Sequence, residues 1–262
     1  MLTNYHTHTY RCNHAYGTEE EYIQRAIEAG FSELGFSDHA PYIFSQSGYV
    51  SDFRMKIEQY HDYVETLIEL RKKYADKIKI HIGLETEYYP KLFRNNLEFL
   101  MEEPLDYMIL GQHFTNNEFD GTYACCMSAM REAVLVRYAE QVEEAVGTGC
   151  FTYIAHPDLI MYDTKKPEYR RHMRRICEAA ASIDIPLEIN LLGIEDKRCY
   201  PNEVFFELAA ECKNKVIIGF DAHCPDEVYS HITESARKVA ESICTRFGLE
   251  RVERPKLIKP KL

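Results

Sequence analysis

Short apolar runs alternate with amphipathic stretches along the whole chain. Runs of strand size occur at Leu2–Tyr5, Glu33–Phe36, Ile78–Leu84, Tyr107–Leu110, Thr152–Ala155, Leu187–Ile189 and Val216–Phe220. Between them, apolar residues recur at helical spacing over Glu19–Ala29, Asp52–Tyr74, Leu92–Met101, Met130–Val146, Glu168–Ser182, Asn202–Cys212 and Val228–Phe247. Gly30, Gly147 and Gly248 follow helical runs as C-terminal caps, while Asn202 and Asp226 are placed to cap helices at their N-termini. These strand–helix pairs predict an α/β fold of parallel strands and crossover helices. No linker or repeat interrupts them, so residues 1–250 are expected to form one domain, followed by a basic, Pro-broken tail over 251–262 lying in solvent. The irregular stretches 40–52 and 111–129 are long enough to be site-covering loops.

Composition narrows the class. The apolar share is 45 %, enough for a sizeable core, and the formal net charge of −11 argues against a nucleic-acid-binding surface. The apolar runs fall far short of the roughly twenty residues that span a bilayer, and no signal peptide is visible at the N-terminus. The 9 cysteines lack paired spacing and read as reduced thiols of a cytoplasmic protein.

The chemistry lies in the histidines. Of 11 in the chain, most fall in clusters with acidic residues: His6-Thr7-His8 with His14 following, Ser37-Asp38-His39, Gly111-Gln112-His113, Ala155-His156-Pro157-Asp158 and Asp221-Ala222-His223. Imidazole and carboxylate are the ligands of zinc, manganese and iron. Alternate residues of a strand point the same way, so His6 and His8 can approach one ion; the alternative reading is two ordinary strand-end histidines. Glu85 and Glu87 share one strand face, and a bridging carboxylate lowers the repulsion between cations. His61, His81, His172 and His231 lie inside helical or strand segments and are read as structural.

Every cluster follows the C-terminal end of a predicted strand. In a barrel those ends converge on one face, whereas an open sheet would spread them over tens of ångströms. A closed or nearly closed barrel is therefore expected.

At these residues the sequence resembles the PHP (polymerase and histidinol phosphatase) family, over about residues 1 to 250. Within it the chain is similar to stand-alone histidinol-phosphate phosphatases, through Gly17-Thr18-Glu19-Glu20-Glu21-Tyr22, Asp106-Tyr107, Leu187-Glu188-Ile189-Asn190 and Tyr200-Pro201-Asn202. The resemblance implies a distorted (β/α)7 TIM-like barrel and three divalent or trivalent metal ions (Zn, Mn or Fe). It implies one ion on His6, His8, Glu85 and Asp221, a second on His14, His39 and His223, and a third on Glu85, His113 and His156. Glu87 then stands behind the ligands. The implied activity is hydrolysis of L-histidinol phosphate in histidine biosynthesis. Other phosphoesters (nucleotides, phosphotyrosine, nucleic-acid ends) and a non-catalytic metal-binding domain are the rival readings. One departure concerns the stretch after Asn190, where Leu191-Leu192-Gly193-Ile194-Glu195-Asp196-Lys197-Arg198 replaces a Thr-Ser-Gly-like turn leading to a basic residue.

The expected mechanism is in-line attack of a metal-bridging hydroxide on a small phosphomonoester, without a covalent enzyme intermediate. Arg198 is the candidate for holding phosphate through its planar fork, and Arg54 a second. Asp158 is the candidate for orienting His156 or assisting proton transfer.

Overall fold

The structure, a computed structural model, describes residues 2–44 and 48–262. Nine strands and nine helices are described: β1 (Leu2–Asn4), α1 (Glu19–Glu28), β2 (Phe31–His39), α2 (Tyr60–Lys73), β3 (Lys79–Thr86), α3 (Phe93–Leu100), β4 (Tyr107–Leu110), β5 (Phe114–Thr115), β6 (Thr122–Tyr123), α4 (Glu132–Gly147), α5 (Pro167–Ser182), β7 (Leu187–Asn190), α6 (Leu191–Glu195), α7 (Glu203–Glu211), β8 (Lys215–Gly219), α8 (Pro225–Val228), α9 (His231–Phe247) and β9 (Glu250–Arg251).

The wall is a parallel sheet in the order β1-β2-β3-β4, continued by β7-β8. The predicted strand over 152–155 is reduced to a seam. Only Ile154 bridges both Leu110 and Leu187, with Ala155 N donating to Leu110 O at 2.8 Å and Glu188 N to Ile154 O at 2.9 Å. The circle closes at the top, where Thr7 bridges Ala222 and His8 N donates to Ala222 O at 2.9 Å. This is the expected distorted TIM-like barrel, with one thin stave and one partial closure.

Below that closure β9 lies against β8, and Val252 N donates to Val216 O at 2.7 Å. The segment after it does not hang in solvent as expected. Pro255 is buried, Ile258 N donates to Thr152 Oγ1 at 3.0 Å, and Arg254 pairs with Glu33 at 2.7 Å. The tail thus runs beneath the barrel and clips onto the thin stave, its apolar residues outweighing its basic character.

Two apolar layers hold the barrel. Helices pack on the outside of the sheet through one large core, and Tyr5, Tyr107, Ile109, Tyr153, Ala155 and Ile217 form a second cluster in the interior. Tyr107 OH donates to the carbonyls of Tyr5 at 2.8 Å and Phe36 at 3.0 Å, tying β4 to β1 and β2 beneath the site.

Element boundaries differ from the sequence pattern where side chains have other work. The helix expected from Asp52 begins at Tyr60, after a single 3-10 turn, because Arg54 is pulled into the interior and Met55 N bonds His39 O at 3.3 Å. The helix expected over Val228–Phe247 is split. Ser230, not Asp226, caps α9, and Asp226 lies in the first turn of α8, where it pairs with Arg25 at 2.6 Å. Gly147 closes α4 rather than following it, and Gly149 takes the positive φ of 66°. Asn202 and Gly248 cap α7 and α9 as predicted. Among the described residues no helix is long and apolar enough to cross a membrane.

Candidate metal centre

The nine candidate ligands converge at the C-terminal face of the barrel. The bridge between Thr7 and Ala222 lays His6-Thr7-His8 beside Asp221-Ala222-His223, so alternate residues of both segments reach the same side. His6 Nε2 and His8 Nε2 lie 3.3 and 3.0 Å from Asp221 Oδ1. Glu85, at the end of β3, sits between the groups: its oxygens are 3.6 Å from His6, 3.5 Å from His8, 2.9 Å from His39, 3.7 Å from His113 and 2.8 Å from His156. Gly111 is required there, because a Cβ at that position would collide with the Glu85 carboxylate.

The outer three histidines are arranged differently. The rings of His14 and His223 are 4.8 Å apart and those of His14 and His39 5.3 Å, and His223 stacks on His8 at 4.1 Å. His14 Nδ1 and His223 Nδ1 each lie 2.8 Å from a backbone carbonyl, of Cys12 and Asp221 respectively, which leaves Nε2 outward on both rings.

The donor atoms fit metal ions. His6 Nε2, His8 Nε2 and Glu85 Oε2 are buried without a hydrogen-bond partner, an arrangement costly to a fold unless a cation meets them. Within 4.8 Å of one another lie the ligand atoms of His6, His8 and Asp221, of His6, Glu85 and His156, and of His8, His39 and His223. Two ligand residues carry backbone strain as well: His156 has φ 28° and Asp221 φ 56°. Such conformations cost about 1–3 kcal/mol each and persist where the surroundings enforce them. For His156 the constraint is visible, since its N–H donates to Glu188 Oε2 at 2.9 Å.

Electrostatics divide the site. Burial pulls His6 down, but Asp221, Glu188 and Glu85 overcome it and lift it to about 10. His8 is raised well above its ordinary value against burial, by its neighbours Asp221, Asp38 and Cys12. Glu85 is held well below the usual carboxylate range, the surrounding histidines overriding burial. By contrast, burial and the neighbouring His8 push His223 down to about 3, and burial holds His39 well below the imidazole range.

Two carboxylates that the sequence reading left without a role complete the site. Glu188 Oε1 meets His6 Nδ1 at 2.8 Å, and Asp38 Oδ1 meets His8 Nδ1 at 3.4 Å, so each fixes a ring with Nε2 turned inward. Asn190 Nδ2 joins Glu188 Oε2 at 2.9 Å to Asp221 Oδ2 at 3.0 Å. The available signal was parity, because Glu188 and Asn190 alternate along β7 and face the same side as the ligands. Glu87 does stand behind them: it accepts from His113 N and Phe114 N, both at 3.0 Å.

A cavity of about 470 Å³ opens over the ligands. His14, His39, His113 and His223 are at its base, with Phe53, Tyr123, Tyr200 and Arg198 among its walls. Both long loops contribute, through Asp52 and Tyr123. A larger cleft of about 850 Å³ between α6 and α9 contains none of the candidate ligands and shares only Asp196 and Glu227 with this cavity. The smaller one is the candidate substrate site, since it holds candidate ligands and the larger does not. Arg198 lines it, donating to Asp196 at 3.0 and 2.7 Å and to Tyr200 OH at 2.9 Å, which leaves two of its five N–H donors for an anion.

Two expectations are corrected. Arg54 is 2 % exposed and spends its guanidinium on Glu118 at 2.6 Å, Ala40 O at 3.1 Å, Glu87 at 2.9 Å and Tyr89 OH at 3.3 Å, so it is an internal clamp and not a phosphate ligand. Asp158 makes no hydrogen bond to His156 and does not line the cavity. Its carboxylate accepts from Asn202 N at 2.6 Å at the start of α7, and burial raises it to about 7.

Barrel and ligand set together define a class: a TIM-like barrel with a multi-histidine metal centre on its C-terminal face. A PHP domain profile matches residues 4–191, and the chain belongs to that family. It is 29 % identical over 251 residues to a Deinococcus radiodurans protein named "Probable histidinol-phosphatase", covering 92 % of this chain and 93 % of that one. It is 24 % identical to the histidinol-phosphatase of Bacillus subtilis, over 85 % of this chain and 94 % of the other. The crystal structure of histidinol phosphate phosphatase from Lactococcus lactis, complexed with zinc, L-histidinol and phosphate, matches the fold with a TM-score of 0.72 at 19 % identity, over 97 % of this chain and 98 % of that one.

Proposed function

We propose that this protein hydrolyses L-histidinol phosphate to L-histidinol and phosphate with three bound ions of zinc, manganese or iron. The observation that carries the reading is the set of buried, unpartnered ligand atoms of His6, His8 and Glu85 beneath a cavity walled by Arg198. The names of the curated relatives supply the substrate. The ions would be held by His6, His8, Glu85 and Asp221; by His14, His39 and His223; and by Glu85, His113 and His156. The 9 free cysteines support a reducing, cytoplasmic setting.

When bound, the ions would supply a water of lowered pKa and neutralise phosphoryl charge. The protein's own part is positioning. Glu188 and Asp38 hold the His6 and His8 rings in one tautomer, and Glu85 reaches both sides of the centre. The two spare N–H groups of Arg198 suit two phosphate oxygens. Phe53, Tyr123 and Tyr200 narrow the space left to bulk water.

The decisive experiment compares phosphate release from L-histidinol phosphate, nucleotides and phosphotyrosine at matched concentrations, with elemental analysis of the same preparation. Preference for L-histidinol phosphate, lost on metal removal and regained on reloading, is expected. Equal turnover of all three, or full activity without metal, overturns the reading.

A further inference from the structure

Outside the metal centre, two cysteines from distant parts of the chain meet next to residues of the cavity wall. Cys125 Sγ and Cys199 Sγ are 3.6 Å apart, although 74 residues separate them in sequence. Both are partly accessible free thiols. A disulfide needs a bond of about 2.05 Å, so a closure of roughly 1.5 Å would join them. Cys125 lies two residues beyond Tyr123, and Cys199 lies between Arg198 and Tyr200; all three of these neighbours line the cavity.

We infer that Cys125 and Cys199 form an oxidation site, closing to a disulfide under peroxide and thereby shifting the Arg198–Tyr200 wall of the substrate cavity. Cys125 is the attacking sulfur. The Cys199 thiol, and then the Arg198 charge, draw it down to about 7 against burial, so much of it is thiolate at neutral pH. Cys199 moves the other way and stays protonated, its partner and burial both raising it. In the first step the Cys125 thiolate attacks one oxygen of hydrogen peroxide; the O–O bond breaks, giving a sulfenic acid and hydroxide, which takes up the proton Cys125 had lost. In the second, the Cys199 sulfur attacks the sulfenic sulfur, and the displaced hydroxide leaves as water with the Cys199 proton. Two thiols and one peroxide thus become one disulfide and two waters.

The resolving partner is fixed in advance. Cys199 Sγ donates to Leu159 O at 3.3 Å, which holds it beside Cys125. The adjacent Cys126 is engaged elsewhere, with Tyr123 O and Ser128 Oγ, both at 2.9 Å. The loop bearing Cys125 is anchored in turn, Ala124 N donating to His113 O at 2.7 Å. The α6–α7 connection is anchored too, Arg198 N donating to Gly193 O at 2.9 Å and Asn202 N to Asp158 Oδ2 at 2.6 Å, so closing the sulfur gap must displace one of these two cavity-wall segments.

The test uses the zinc-loaded protein treated with stoichiometric hydrogen peroxide. Peptide mapping should find a peptide linking Cys125 to Cys199, lost in Cys125→Ser and Cys199→Ser and reversed by dithiothreitol. This arm does not depend on the substrate. Because the activity arm rests on the phosphatase reading, it is run only on a substrate that the untreated protein turns over. There, kcat/KM should fall about tenfold on oxidation, with the zinc content unchanged, and recover on reduction. Both serine variants should keep untreated activity and form no disulfide under peroxide, Cys199→Ser stopping at the Cys125 sulfenic acid. A Cys125–Cys126 bond, or oxidation without any linked peptide, overturns the site. A Cys125–Cys199 bond that leaves kcat/KM unchanged overturns its effect on the cavity.

Discussion

The inner and outer halves of the histidine cluster use the same side chain in opposite surroundings. On the floor, His6 and His8 each have a carboxylate behind the ring, Glu188 and Asp38, and another in front, Asp221. At the rim, His14 and His223 are backed by neutral backbone carbonyls. A carboxylate behind an imidazole raises its basicity and adds net negative charge toward a cation; a carbonyl orients the ring and adds little. The difference teaches that nine candidate ligands need not make three equal sites: with the proposed ions bound, the floor would hold its metal more tightly than the rim.

The comparison breaks most severely at Glu85, which belongs to both halves. Glu85→Gln should lower phosphatase activity by more than the ~100-fold typical of removing an outer carboxylate, and should reduce bound metal in both halves by elemental analysis. A variant that keeps full metal content would show that the halves do not share it. Glu188→Gln tests the floor alone. Activity should fall about 10–100-fold while the protein stays folded by circular dichroism, and an unaffected enzyme would make the backing carboxylate irrelevant.

His14→Ala tests the rim. It should cost one ion equivalent and leave the floor ions in place, and in the unmodified protein a chelator should remove one equivalent before the others. Simultaneous release of all ions would erase the distinction. The smallest effect concerns charge beside the rim, where burial, with Glu227 and Asp196 nearby, raises Glu195 to about 7. Its folded value exceeds its ordinary one, so its contribution to stability is full below about pH 4.5 and is lost as pH rises through about 7. Glu195→Gln should therefore raise Tm more at pH 8 than at pH 5; an equal change at both would show that burial of this group does not penalise its charge.

Much of this site was legible in the chain because its ligands follow strands, where parity and position are simple rules. His6 and His8 sit one residue apart across Thr7, and the ends of successive strands meet on one face. What stayed hidden is long-range pairing. Arg54 reads like any loop arginine, since its partners Glu118 and Glu87 lie 64 and 33 residues away. Glu188 is marked only by its parity with Asn190, and nothing in that short run says that it faces a histidine from the other end of the chain. The stave at 152–155 has the pattern of a strand but too few neighbours in register to complete a ladder. The tail misled through composition, because its charges masked the few apolar residues that dock it.

That tail has a consequence for how the protein is made. Ile258 and Lys261 fasten to Thr152 and Cys150, at the foot of the thinnest part of the wall. On the ribosome, residues 152–155 emerge long before the segment that secures them. The bridges of Ile154 to Leu110 and Leu187 can form before those two bonds, so the foot of the thin stave is the part of the wall secured last.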